Sequence, residues 1–178
     1  MRYPQTLLIL LLFFLVEGSL FPWLLPSGWS GKAEISPHFV LIGIIYIAIY
    51  RNRHAALVYG LLFGFLQDLI YYGHMLGVHS FSMGLLGYLV GLSFARKRSS
   101  LLLTLSFTAL AELAYGIMLY GIYRFFNVTD LPLTWILLKN IFPSLLLNLL
   151  FGLIIYVPAR QFLEGSLRMK QDEEMSVG

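Results

Sequence analysis

The chain contains no cysteine, which excludes disulfides, thiolate metal sites, thiol redox chemistry and cysteine nucleophiles whichever compartment its loops face. Charge is also scarce: 12% of the 178 residues are charged, against about a quarter in an ordinary soluble domain. No HExxH or G-x-S-x-G pattern occurs, so metalloprotease and serine-hydrolase chemistry lack their signatures. The glycines fall within apolar runs and not between a strand and a helix, which removes the phosphate-binding loop. No fixed-period repeat marks an inverted-repeat transporter.

What is present is apolar residue, 58% of the chain, in runs that approach the ~20 residues needed to cross a ~30 Å hydrocarbon core. The composition predicts an all-α integral membrane protein, a compact bundle of six transmembrane helices in one domain over 1–178. The helices are expected at about 5–25, 37–50, 55–72, 78–95, 101–126 and 134–157. A short cytoplasmic tail is expected at 160–178, with its charged end QDEEMSVG (171–178) disordered. The first run has the basic head of a secretory signal, but Glu17 breaks it and no A-x-A cleavage pattern follows, so it is read as helix one. Trp23 and Trp29 stand where an aromatic belt would lie.

The net charge of +3 is a topology signal here and not a nucleic-acid patch. One set of alternate loops collects Arg2, Arg51, Arg53, Arg96, Lys97, Arg98, Arg160, Arg168 and Lys170, and the other holds only Lys32 and Arg124. The positive-inside rule then places both termini in the cytoplasm. With six spans there is no room for a soluble domain, so function lies within the bilayer or in partners that grip short loops.

Helix three carries Gly60, Gly64, Asp68 and Tyr72 at strict four-residue spacing, and helix four carries Gly84, Gly87 and Gly91. Small residues at this spacing let helices approach in lipid, where apolar surface alone does not drive association. Packing of these two helices on each other is the plain reading; a partner's helix is the alternative. Helix six has a second stripe, Asn140, Ser144, Asn148 and Gly152, with Pro143 beside it. It reads as a buried polar seam, with solute passage as the alternative.

Four ionisable residues fall inside spans: Glu17, Asp68, Glu112 and Lys139. Such residues face the bundle or water and are functional-site candidates. Glu17 and Glu112 lie near mid-span, where a charge without a partner costs most, and Lys139 is the expected cation for one of the acids; together they make a remote proton-coupled carrier. Asp68 sits about one turn, roughly 6 Å, from the end of helix three, so its burial is expected to be moderate. The helix dipole opposes a carboxylate there. A partner from outside is therefore required: the free N–H groups near Val78, His79 and Ser80, or else Lys139 or Arg124. A catalytic group of Asp68, His74, His79 and Ser80 can be drawn, yet histidines at this outer turn are expected to be merely interfacial; His38 and His54, the other two, form no metal-ligand or hydrolase motif. No catalytic, cofactor or metal-binding residue is assigned.

The order of features in "SPHFVLIGIIYIAIYRNR" and "GLLFGFLQDLIYYGHMLGVHSFSMGLLGYLVG" resembles the MreD family of bacterial rod shape-determining membrane proteins. Pro37 opens the second span; Gly60, Gly64 and Asp68 end the third; Gly73 and Gly77 bound a short turn; Gly84, Gly87 and Gly91 mark the fourth. One departure is His38, where the pattern would place an acid. The resemblance implies a non-enzymatic scaffold of the cell-elongation machinery, or elongasome, in the bacterial cell membrane. It would act in cell shape and peptidoglycan synthesis, with MreC as direct partner and MreB, RodA and its transpeptidase in complex. The family is also similar to the substrate-binding components of energy-coupling-factor vitamin transporters, which implies a second possibility: capture of a small solute near the outer face by Tyr71, Tyr72, His74, His79 and Trp29. Helix one lacks the alanine-x-x-x-alanine face by which those proteins dock.

Overall fold

Helix α2, Phe39–Tyr50, reads FVLIGIIYIAIY and is apolar on every side. A helix of that kind has no solvent face to offer and belongs in an interior. A computed structural model of the chain, which describes residues 3–20, 35–71, 75–94 and 100–176, puts it at the centre of the molecule. Only Ile49 of its twelve residues escapes full burial.

The other helices surround it. α1 is Tyr3–Leu15 and widens into a π-helical stretch at Val16–Leu20. α3 is Arg53–Ile70, α4 is Val78–Ser93 and α5 is Leu101–Phe125. α6 is continuous through Leu133–Ile136, a π-helical turn at Leu137–Ile141, and Phe142–Ser176. All five pack against α2, and α3 and α4 form the most intimate pair.

Local chemistry explains the boundaries. Asn52 caps α3, its side chain accepting from His54 N at 2.7 Å and Ala55 N at 3.3 Å, so α2 and α3 are joined by only two residues. Ser100 caps α5 by accepting from Leu103 N. α5 ends with Asn127 at φ +55°, and the Val128 N–H reaches back to the Tyr123 carbonyl at 2.8 Å; this closure needs a left-handed residue, a role asparagine tolerates.

The second to fifth helices match their expected positions to within three residues; α6 differs. Its expected end near 157 and disordered tail are replaced by helix to Ser176. Pro158 removes one N–H without stopping the helix, and the Leu, Arg, Lys, Gln and Glu beyond it are good helix formers. Helix one was expected to reach residue 25; it is described to Leu20, and the rest lies outside the described residues.

Length separates the helices further. α5, and α6 as far as Gln161, are long and apolar enough to cross a membrane, and most of each faces outward. α2, at twelve residues, is about 18 Å long, short of the ~30 Å core. Its start lies inside the molecule, reached by the non-helical segment 35–38.

The α3–α4 contact depends on absent side chains. A Cβ on Gly60 would lie 2.8 Å from the Gly84 backbone, and one on Gly64 would lie 2.5 Å from Ser80 Cα and 2.6 Å from the His79 carbonyl. Backbone cannot move aside as a side chain can. Gly64→Ala is therefore expected to cost ~1–3 kcal/mol, seen as a lowered melting temperature in detergent. Gly121→Ala, where a Cβ would meet nothing within 4 Å, is expected to leave melting unchanged or raise it.

Candidate functional site: two buried carboxylate clusters

α4 starts at Gly77, which has φ +97° and no side chain to cap the helix. The missing cap comes from α3. Asp68 Oδ2 accepts from Gly77 N at 2.9 Å and Ser80 N at 3.1 Å, and Oδ1 accepts from His79 N at 3.1 Å. His79 Nδ1 lies 2.9 Å from the same Oδ1. A capping side chain ordinarily serves the second and third N–H of its own helix; here a carboxylate from a neighbour serves them. Asp68 is 0% exposed, so the moderate burial expected from its place near the helix end is corrected: α4 folds over it. The dipole penalty at the end of α3 is offset by the positive end of α4.

The glycines around this clasp bring α3 and α4 into register. Gly60 and Gly64 face Gly84 and Ser80, so these faces of α3 and α4 meet within the chain. Gly87 abuts Ile44 and Ala56, and Gly91 abuts Arg53. Gly73 lies outside the described residues, as do Tyr72, His74 and Trp29.

The second cluster serves the start of α2. His38, at its N-cap position, makes no side-chain cap. Glu17 of α1 supplies one: its Oε2 accepts from Val40 N at 3.1 Å, while Gln67 Nε2 of α3 donates to Oε1 at 2.7 Å. The stripe on α6 holds the entry segment. Ser36 N donates to Ser144 Oγ at 2.8 Å and His38 N donates to Asn148 Oδ1 at 2.9 Å; Pro37, between them, has no N–H to satisfy. Asn140 Nδ2 donates to Ser36 Oγ at 3.4 Å, and the Gly152 carbonyl accepts from Tyr46 OH at 2.7 Å.

Glu112 of α5 completes this group. Its Oε2 lies 3.0 Å from His38 Nδ1 and accepts from Asn148 Nδ2 at 3.2 Å. Its other oxygen, Oε1, is buried with no hydrogen-bond partner among the described residues, so it is less fully held than Asp68.

These contacts correct the expected pairings. Lys139 lies half-buried in the π-helical turn of α6, and among the described residues no ion pair joins it to an acid. The acids pair instead with histidines, Glu112 with His38 and Asp68 with His79. Arg124 reaches Asp130 at 3.2 Å and not Asp68. Both paired histidines are internal, His79 against the interfacial expectation, and their rings flank Tyr115 at centroid distances of 5.0 Å for His38 and 6.2 Å for His79.

A cavity of about 260 Å³ lies between the clusters, lined by Ser36, His38, His79, Tyr120, Tyr123 and Asn140 among others. Of the solute-capture residues named from sequence, His79 lines it. Tyr71 instead stacks near Phe14, 5.2 Å between centroids. The drawn catalytic group does not assemble as a nucleophile and base, because Ser80 Oγ donates to the Leu61 carbonyl at 2.8 Å. No three His, Asp or Glu side chains gather as a metal site among the described residues.

Sequence reasoning missed Gln67, Ser36, Tyr46 and the ring of His38. The available signal was the pairing of unsatisfied helix starts with acids elsewhere in the chain.

These features define a helical membrane protein whose buried acids fasten helices together. The sequence profile of the family described as rod shape-determining protein MreD matches residues 1–165, and the chain belongs to that family. It is 27% identical over 139 residues to the rod shape-determining protein MreD of Bacillus subtilis (strain 168), covering 78% of this chain and 80% of that one. The family description names shape determination and no reaction. No solved structure matches the chain.

Two outcomes test the geometry. Asp68→Leu leaves the buried His79 N–H and the part-buried Gly77 and Ser80 N–H groups without their acceptor, the buried one alone worth ~1–3 kcal/mol. Asp68→Asn keeps one accepting oxygen, so melting in detergent is expected to rank wild type above Asn above Leu; equal melting of all three would refute the capping role. In a double-mutant cycle, His38→Ala and Glu112→Gln are expected to couple by ~0.5–3 kcal/mol, while Lys139→Ala alone stays within about 0.5 kcal/mol of wild type.

Proposed function

We propose that this chain is a non-catalytic scaffold of the bacterial rod complex, held in the cell membrane by six helices with both termini cytoplasmic. It binds MreC directly and, in complex, MreB, RodA and its transpeptidase, and so supports lateral peptidoglycan synthesis. Family membership supports the setting. The observation that carries the non-catalytic reading is the use of the acids: both oxygens of Asp68 and of Glu17 are engaged in joining helices. A group that must accept a backbone N–H to keep a helix start buried is poorly suited to exchange protons with a substrate. The short loops leave partner contact to the outward apolar faces and helix ends, where Leu102, Leu110 and Leu146 are well exposed.

The cavity beside His38 and His79 supports a second reading, capture of a small vitamin-like solute as in an energy-coupling-factor substrate-binding component. Its lining of tyrosines, amide and imidazoles around about 260 Å³ suits a polar aromatic ligand.

Purification of the tagged full chain from its own cells in mild detergent separates the two. MreC is expected to co-elute in stoichiometric amount. A bound small molecule recovered without MreC would overturn the scaffold reading in favour of solute capture.

A further inference from the structure

The cavity beside His38 and His79, about 260 Å³, is smaller than the ~300–1,000 Å³ of sites that hold drug-sized ligands. Its occupant is therefore a small molecule. Thr129 and Leu131, from the connection between α5 and α6, line it, and the side chain of Asp130 between them is 97% exposed. The cavity thus adjoins the surface and can be entered without parting the bundle.

The chemistry of its wall favours one sign of charge. His38 and His79 both line it, and each has a buried carboxylate behind it, Glu112 at 3.0 Å and Asp68 at 2.9 Å. Glu112 Oε1 has no hydrogen-bond partner among the described residues, so that carboxylate is only half engaged. Among the described lining residues none is lysine or arginine. An imidazole that gives its Nδ1–H to a carboxylate keeps Nε2 as an acceptor, and the carboxylate makes that nitrogen more basic. His38 is placed for this: Nδ1 meets Glu112, and 12% of its side chain remains accessible. Tyr120, Tyr123 and Trp135 add aromatic walls, and ring faces attract cations through their quadrupole. Tyr120 is fixed by its OH, which donates to the Leu131 carbonyl at 3.1 Å, and the Tyr123 ring lies 6.5 Å from that of His79. An anion would meet acid-backed imidazoles and ring faces with no fixed positive group to receive it.

We infer that this cavity is a binding site for a small organic ammonium ion, its charge held against Tyr120, Tyr123 and Trp135 and one N–H donated to His38 Nε2. The inference rests on the second reading above, that the cavity holds a small solute, and adds the sign of the solute's charge. Bound there, the cation offsets the negative charge that Glu112 and Asp68 bring into the bundle.

The test is isothermal titration of the purified full chain, in a neutral detergent, with three probes of one shape: benzylammonium, benzyl alcohol and benzoate. Wild type is expected to bind benzylammonium about tenfold more tightly than benzyl alcohol, within the range of a cation–π contact, and benzoate least. Trp135→Leu is expected to weaken benzylammonium about fivefold and benzyl alcohol by less than about twofold. His38→Gln is expected to weaken benzylammonium by a similar factor of about five. Should His38→Gln fail to fold through loss of its Glu112 bond, Trp135→Leu decides the matter alone. Phe125→Leu, at a residue that is 80% exposed and outside the lining, is the control and should change neither affinity. Benzyl alcohol or benzoate bound as tightly as benzylammonium would overturn the ammonium assignment and leave the solute reading standing. Binding unchanged by Trp135→Leu, or weakened equally by Phe125→Leu, would place the probe elsewhere and overturn the site. Absence of binding by all three probes would overturn this inference, and the solute reading is then decided by whether a small molecule co-purifies with the chain.

Discussion

A helix that begins inside an apolar interior presents N–H groups that water cannot reach, and each must find an acceptor within the protein. Two helices here begin that way, α2 at Phe39 and α4 at Val78, and the residue before each, His38 or Gly77, supplies no side-chain cap. In both, a carboxylate from a different helix takes the role: Glu17 of α1 for α2, Asp68 of α3 for α4. This borrowed capping joins the bundle more specifically than apolar contact does, because lipid tails are as apolar as the side chains they would replace. An acid in a greasy run and a helix start with nothing to cap it are two halves of one feature.

The remaining helices are organised around the same constraint. Non-helical backbone at depth is tolerated only where protein satisfies it, and the segment before α2 is such backbone. Ser144 and Asn148 of α6 and Glu112 of α5 gather on it, with His38 as the shared member. The polar stripe of α6 is thereby accounted for as a receptor for residues 36–38 and Tyr46. His38 is the partner of an acid, Glu112, at 3.0 Å.

Legibility in the sequence followed the range of each interaction. Helix positions were readable because apolar runs and breakers such as "RNRH" act locally. The α3–α4 pairing was readable from Gly60, Gly64 and Gly84, since four-residue spacing defines a face and a face of glycine demands close approach. Asp68 was placed correctly against the start of α4 because only nine residues separate it from Gly77, so the turn limits where it can reach. Glu17, Glu112 and Lys139 were not readable in the same way. The partners of Glu17 and Glu112 lie 23 to 74 residues away, and charge alone favoured Lys139 where geometry favoured His38. The helical tail beyond Pro158 was misjudged because proline and charge both signal an end, while the helix-forming residues around them outweigh it.

Composition and periodicity by themselves determined the class, an all-helical membrane chain without thiol chemistry, the places of the second to fifth helices, and the glycine face on which α3 meets α4. These follow from properties each residue carries with it. Which acid caps which helix, that His38 and His79 are internal, and that α2 is a short core helix and no free span were decided only by tertiary structure. A buried hydrogen bond depends on a distance of about 3 Å between atoms remote in sequence, and only the assembled bundle sets that distance.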